Sequence, residues 1–309
     1  MIKRLCIVAT AMALLAAPAH AQDKAQDKAQ DKAQDKLKAV ASTSIIGDLV
    51  RNVGGDHVEV ATLVGPNSDA HVFSPTPAHA KTLAAASVVF VNGLGLEGWM
   101  TRLVKSSGTK AVTVVVSIGI VPRKAADDGH GHGHGADPHA WQSVANVRLY
   151  VANIRNGLKA ADPAGAAAYD ANAKAYLEKL DALEGEVRAA IGKIPADRRK
   201  IITTHDAFGY FGAAYGVQFI APVGVSGDAE PSAKDVARII AQVKRQKIPA
   251  VFMENISDAR MMQQIARETG AKFGGTLYSD ALSDVGGPAA TYIDMMRNNV
   301  TELVKALAQ

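Results

Sequence analysis

The chain has 309 residues, enough for about two domains at roughly 150 residues each. Hydrophobic residues make up 48% and charged residues 21%, a mixture that excludes a wholly disordered chain. The formal net charge is +4, with no Lys/Arg block longer than Arg198-Arg199-Lys200, which argues against nucleic acid as a partner. The single cysteine, Cys6, excludes a disulfide framework and any Cys-ligated metal site. Nine histidines in such a chain are the first chemical clue.

The N-terminus reads as an export signal over residues 1–21. Lys3 and Arg4 form a positive start, Leu5 to Ala17 an apolar run too short to span a bilayer, and Ala19-His20-Ala21 a small-x-small cleavage site. Cys6 lies near the start of the apolar run, not after it, so the expected product is secreted to the periplasm without a lipid anchor. The repeated Ala-Gln-Asp-Lys that follows, to residue 36, has no aromatic or branched apolar residue to bury and reads as a flexible leader.

From there strands and helices alternate. Strands are expected at Lys38–Ser42, Val58–Val64, Val88–Val91 and Ala111–Val116, with helices at Ser44–Val53, Ala78–Ala86, Leu94–Ser106 and Val144–Ala160. Two loops stand out: Pro66–Pro77, and Gly119–Asp137, which is rich in Gly, Asp and His. Pro163 opens a long helical stretch to about Ile191, the longest uninterrupted element. The alternation then resumes, with strands Ile201–Thr204, Val217–Ile220, Ala250–Met253 and Lys272–Leu277 and helices Ala207–Tyr215, Ser232–Gln246, Asp258–Thr269 and Pro288–Leu307. This predicts an α/β fold: two parallel-sheet lobes, residues 37–161 and 194–309, joined by a linker helix over 162–193. Ligands of open parallel sheets bind beyond the carboxyl ends of strands, so residues just after strands matter most.

His71, His139 and His205 lie in loops or at strand ends, and Asp280 follows the last strand. They are separated by 68, 66 and 75 residues, two in each lobe, so they could meet only in the cleft between lobes. Three imidazoles and a carboxylate form a four-coordinate N/O set that suits Zn²⁺, whereas Mn²⁺ or Ca²⁺ would normally want more oxygen. A lone loop histidine more often serves as a surface or hydrogen-bonding residue, and spacing by itself leaves both roles open. His130, His132 and His134 alternate with glycine and could capture zinc loosely, or could be a plain tether. Phe73 and Trp141 flank candidate ligands and most simply pack under their loops. Glu254, after a strand, could hold an imidazole N–H, and Asp206 could cap the next helix.

Six segments carry a family resemblance: Asp69-Ala-His-Val-Phe-Ser-Pro-Thr-Pro77, Asn92-Gly-Leu-Gly-Leu-Glu-Gly-Trp-Met100, Asp137-Pro-His-Ala-Trp141, Thr204-His-Asp-Ala-Phe-Gly-Tyr-Phe211, Glu230-Pro-Ser-Ala-Lys234 and Tyr278-Ser-Asp280. From about residue 38 onward the chain resembles the solute-binding proteins of zinc and manganese ABC importers, the cluster A-I group, ZnuA-like or AztC-like for zinc. The resemblance implies two α/β lobes joined by a long rigid helix, with His71, His139, His205 and Asp280 on the four ligand positions. Manganese members tend to carry Glu at the third position and zinc members His; this chain has His205. Where the family often has Pro before the first histidine, this chain has Ala70. The implied cargo is Zn(II), captured without enzymatic activity and passed to an importer permease with its cytoplasmic ATPase, and a periplasmic zinc metallochaperone is a further implied partner. A monomer is expected. A secreted zinc hydrolase, or a manganese-binding or adhesin member of the family, are the alternatives. No His-Glu-x-x-His or Gly-x-Ser-x-Gly motif supports the hydrolase. Metal release would require a ligand-bearing loop to move, that of Asp280 or the Gly-His loop.

Overall fold

A computed structural model describes residues 36–125, 135–225 and 232–308. The export-signal reading, the repeat as far as residue 35, and His130, His132 and His134 lie outside the described residues. Valine- and isoleucine-rich segments form two four-stranded parallel sheets. The first contains β1 (Leu37–Thr43), β2 (Val58–Val64), β3 (Val88–Val91) and β4 (Val112–Val115), in the order β2-β1-β3-β4. The second contains β5 (Lys200–Ile202), β6 (Gln218–Ile220), β7 (Ala250–Glu254) and β8 (Lys272–Leu277), in the order β6-β5-β7-β8. β3 is buried at all four positions, as expected of a strand covered on both faces. Each sheet starts on an inner strand, winds to one edge and then crosses to the other side. The order therefore reverses between β1 and β3, and again between β5 and β7, and a crevice forms at the carboxyl ends there.

The helices are α1 (Ser44–Gly54), α2 (Pro77–Ala84), α3 (Met100–Ser107), α4 (Val144–Ala161), α5 (Ala166–Gly192), α6 (Gly209–Tyr215), α7 (Ala233–Gln246), α8 (Arg260–Thr269) and α9 (Tyr292–Leu307). α1 follows β1 directly because the Thr43 hydroxyl accepts the Ile46 amide as an N-cap, and it ends at Gly55 with φ 55°. The long helix is α5, with 27 residues and a length of about 40 Å. Its buried residues Tyr169, Ala173, Tyr176, Leu180, Leu183, Val187 and Ile191 recur at steps of three and four, which places them on one face. That face packs on α1 and α4 of the first lobe and on α9 of the second, so the linker is a shared wall. One large core runs through both lobes, and a smaller one around Ile202, Ile239, Val251 and Ile265 sits beneath α7 and α8. No described helix is long and apolar enough to cross a membrane.

The expected helix Leu94–Ser106 begins only at Met100. The segment before it turns through Gly93, Leu94 and Gly95, all with positive φ. The Glu97 carboxylate accepts the Asn92 amide at 2.6 Å and the Gly93 amide at 3.1 Å, which folds the chain back onto the end of β3. Likewise α9 starts at Tyr292, where Thr291 supplies the cap, instead of at Pro288. Helix α6 starts at Gly209 instead of Ala207, with Phe208 at the N-cap position. Replacing Leu180 by Ala should remove about 2–5 kcal/mol of stability, read as a lower urea midpoint with an unchanged denaturant slope.

Candidate metal centre

Each candidate histidine is set by its own local device. Asp69 Oδ1 accepts the His71 amide at 2.7 Å, and Asp137 Oδ1 accepts the His139 amide at 2.9 Å. The same Asp-x-His turn thus forms twice, once after β2 and once after β4. The first is braced from behind, because the Trp99 indole donates to Ala70 O at 2.8 Å and Phe73 packs on Trp99 with ring centroids 4.8 Å apart. The second is held by Asn92, whose amide donates to Pro138 O at 2.9 Å. His205 follows β5, and Glu254 ends β7 beside it. Glu254 Oε1 accepts the amides of Thr204 and His205 at 2.8 and 3.0 Å, while Oε2 lies 2.6 Å from His205 Nδ1.

Two imidazoles thereby have Nδ1 occupied by a carboxylate, since Asp137 Oδ1 is 2.8 Å from Nδ1 of His139. That leaves Nε2 as the free donor in both rings. The Nε2 atoms of His71, His139 and His205 converge with Asp280, and the four donor atoms lie within 4.8 Å of one another. His71 Nε2 is 3.3 Å from His139 Nε2 and 3.4 Å from Asp280 Oδ2. Asp280 Oδ1 is 3.3 Å from His139 Nε2, and Oδ2 is 3.3 Å from His205 Nε2. These contacts are as long as the edges of a coordination polyhedron with metal–ligand bonds of about 2.0–2.1 Å, and they use both Asp280 oxygens. The four groups could therefore hold a metal ion with little rearrangement.

The electrostatics favour a cation. Asp280 is 2% exposed, yet neither carboxylate oxygen has a hydrogen-bond partner among the described residues. A buried carboxylate left that way needs positive charge nearby. Burial raises its pKa, but the nearby charges of His139 and His205 outweigh that and hold it well below the usual carboxylate range. Burial works against a charged His139, but Asp280 and the hydrogen bond to Asp137 outweigh it and push its pKa up to about 9. His205 is raised in the same way, against burial, by Glu254 and Asp280. A metal entering the site must therefore displace protons.

The structure brings together His71, His139, His205 and Asp280. Trp141 is buried against His139 with ring centroids 5.3 Å apart, and Phe73 is half-buried. The role of Asp137 was missed in the sequence, although the repeated Asp-x-His spacing at 69–71 and 137–139 was a legible signal for it. The family profile described as zinc-uptake complex component A, periplasmic, matches residues 39–306. The chain belongs to this family. Its members are metal-binding substrate-binding proteins of ABC transporters that act outside the cytoplasm, and they are not enzymes, so the hydrolase alternative is set aside. The chain is 36% identical to the manganese-binding lipoprotein MntA of Halalkalibacterium halodurans, across 99% of this chain and 100% of that one. It is 33% identical to the iron-binding protein YfeA of Yersinia pestis, across 88% and 86%. The periplasmic zinc-binding protein TroA of Treponema pallidum has the same two-lobed fold, with a TM-score of 0.82 at 30% identity over 89% and 100% of the chains.

The raised His139 pKa sets a sign for the metal-free protein. A group whose folded pKa lies above its unfolded value of 6.5 contributes stability below that value and loses it as pH rises through about 9. Thermal unfolding of the metal-free protein should therefore show decreasing stability between pH 7 and 9.5. Asp280→Asn should flatten that slope, and a slope unaffected by the substitution would contradict the pairing.

Proposed function

We propose that this protein captures Zn²⁺ in the periplasm with His71, His139, His205 and Asp280 and delivers it to the permease of an ABC importer, which works with a cytoplasmic ATPase. The carrying observation is the buried Asp280 carboxylate facing three imidazole nitrogens at 3.3–3.4 Å. A set of three nitrogens and one carboxylate suits zinc better than the harder cations. We place the lobes at residues 37–161 and 194–309, with the linker at 162–193, so that two ligands come from each lobe. His130, His132 and His134 would act as an accessory capture loop, and a periplasmic metallochaperone would be a natural donor to it.

Manganese is the second reading. Asp280 turns both oxygens toward the imidazoles, which gives an oxygen-seeking ion more than a single contact. Relatives named for manganese and iron fit that reading. Metal content of the protein purified from periplasm separates the two: zinc in stoichiometric amount supports the first, manganese the second. We further propose that export cleaves after Ala21 and leaves the chain without lipid, which intact-mass analysis of the mature protein would test.

His139→Ala or His205→Ala should abolish tight zinc binding, whereas deleting residues 129–135 should leave affinity nearly intact; calorimetry with competing chelators reads both. Protons and metal compete for the same nitrogens, so affinity should fall as pH drops below about 9, where His139 takes up its proton. Glu254→Gln keeps the shape but weakens the grip on His205 Nδ1, and zinc affinity should fall about 10- to 100-fold.

A further inference from the structure

Trp141, Gln142 and Asn299 carry buried polar groups with no role so far, and each is at most 2% exposed. They come from different parts of the fold, and all three grip the two residues that precede Asp280. Asn299, on α9, takes both backbone groups of Tyr278: its Oδ1 accepts the amide at 2.8 Å and its Nδ2 donates to the carbonyl at 2.8 Å. From the first lobe, Trp141 Nε1 and Gln142 Nε2 both donate to Ser279 O, each at 2.8 Å. Gln142 reaches that carbonyl while its own Oε1 has no partner in the core. An apolar side chain would fill the same space without leaving a polar atom unpaired.

Rotation about the backbone at 278–279 would swing the Asp280 carboxylate, and these four hydrogen bonds oppose it. We propose that Trp141, Gln142 and Asn299 are positioning residues that hold the backbone before Asp280 so that both carboxylate oxygens face the metal. The observed distances fit this purpose: Oδ1 is 3.3 Å from His139 Nε2, and Oδ2 is 3.4 Å from His71 Nε2 and 3.3 Å from His205 Nε2. One oxygen suffices for a four-coordinate ion. Two oxygens raise the site to five donors and widen it toward ions that want more oxygen. The clamp, not the identity of the four ligands, then sets which coordination number the site offers. Its donors to Ser279 come from the first lobe, so Asp280 belongs to the second lobe by chain but is oriented by the first.

The inference rests on the reading that these four residues bind metal. The test uses the processed full-length protein and the variants Trp141→Phe, Gln142→Met and the pair, each removing one or both donors to Ser279 O without adding charge. Co²⁺ is the probe of coordination number, because its visible bands are weak in five-coordinate sites and stronger in four-coordinate ones; Zn²⁺ affinity and metal-free melting are measured alongside. The wild type should show a five-coordinate spectrum. The pair should shift it toward four-coordinate bands and lose about 10- to 100-fold in Zn²⁺ affinity, with each single variant part-way. A four-coordinate wild-type spectrum, or variant spectra identical to wild type even where affinity falls with melting temperature, overturns the clamp. If the pair does not fold, the single variants decide by the same criterion. A wild type that binds neither ion fails the metal-site reading itself, whereas a wild type that binds with unmoved variants fails only this inference.

Discussion

A buried carboxylate facing three imidazoles at the junction of two sheets is the constraint on which the rest of the site depends. Asp280 cannot remain ionised there without positive charge close by, and the three imidazoles around it supply that as protons or as a bound cation. Its depressed pKa and the raised values of His139 and His205 describe the same charges from opposite sides. Metal uptake at this centre, as proposed above, would exchange those protons for the ion.

The surrounding fold holds that centre rigid with short, local devices. The Asp-x-His turns fix the backbone at His71 and His139, and the carboxylates of Asp137 and Glu254 turn Nδ1 of two rings away from the centre. Glu254 can do this because β5 and β7 are neighbours at the point where the strand order reverses. Behind these contacts, the shared face of α5 packs against both lobes, so the two halves of the site meet on one continuous core. The Asp280 segment, one of the two loops expected to move on metal release, has its backbone hydrogen-bonded by Asn299, Trp141 and Gln142. Composition registers side-chain size, and these bonds come from residues far away in the chain.

Much of the fold was legible because parallel strands buried on both faces must be runs of Val, Ile and Phe, and the helices between them carry a regular apolar stripe. The helix at 94–106 was misread at its start because what turns the chain there is Glu97 reaching back to Asn92 and Gly93, a contact that periodicity does not encode. The candidate ligands were legible as polar residues placed after strands, and Glu254 as a residue able to hold an imidazole. Trp141 was read as packing, which its burial satisfies, but the indole N–H also ties the two lobes together through Ser279.

By itself, the sequence determined the alternation of strands and helices, the long linker, the lack of thiolate chemistry and the short set of histidines and acids at strand ends. These follow from local pattern and residue type, which each segment carries alone. Only the tertiary structure decided that four residues spread over more than two hundred positions come within 4.8 Å of one another, which imidazole nitrogen faces the centre, and that both oxygens of Asp280 point inward. Those outcomes depend on the strand order of two sheets and on side-chain hydrogen bonds between lobes, and such long-range geometry leaves no period or spacing in the chain.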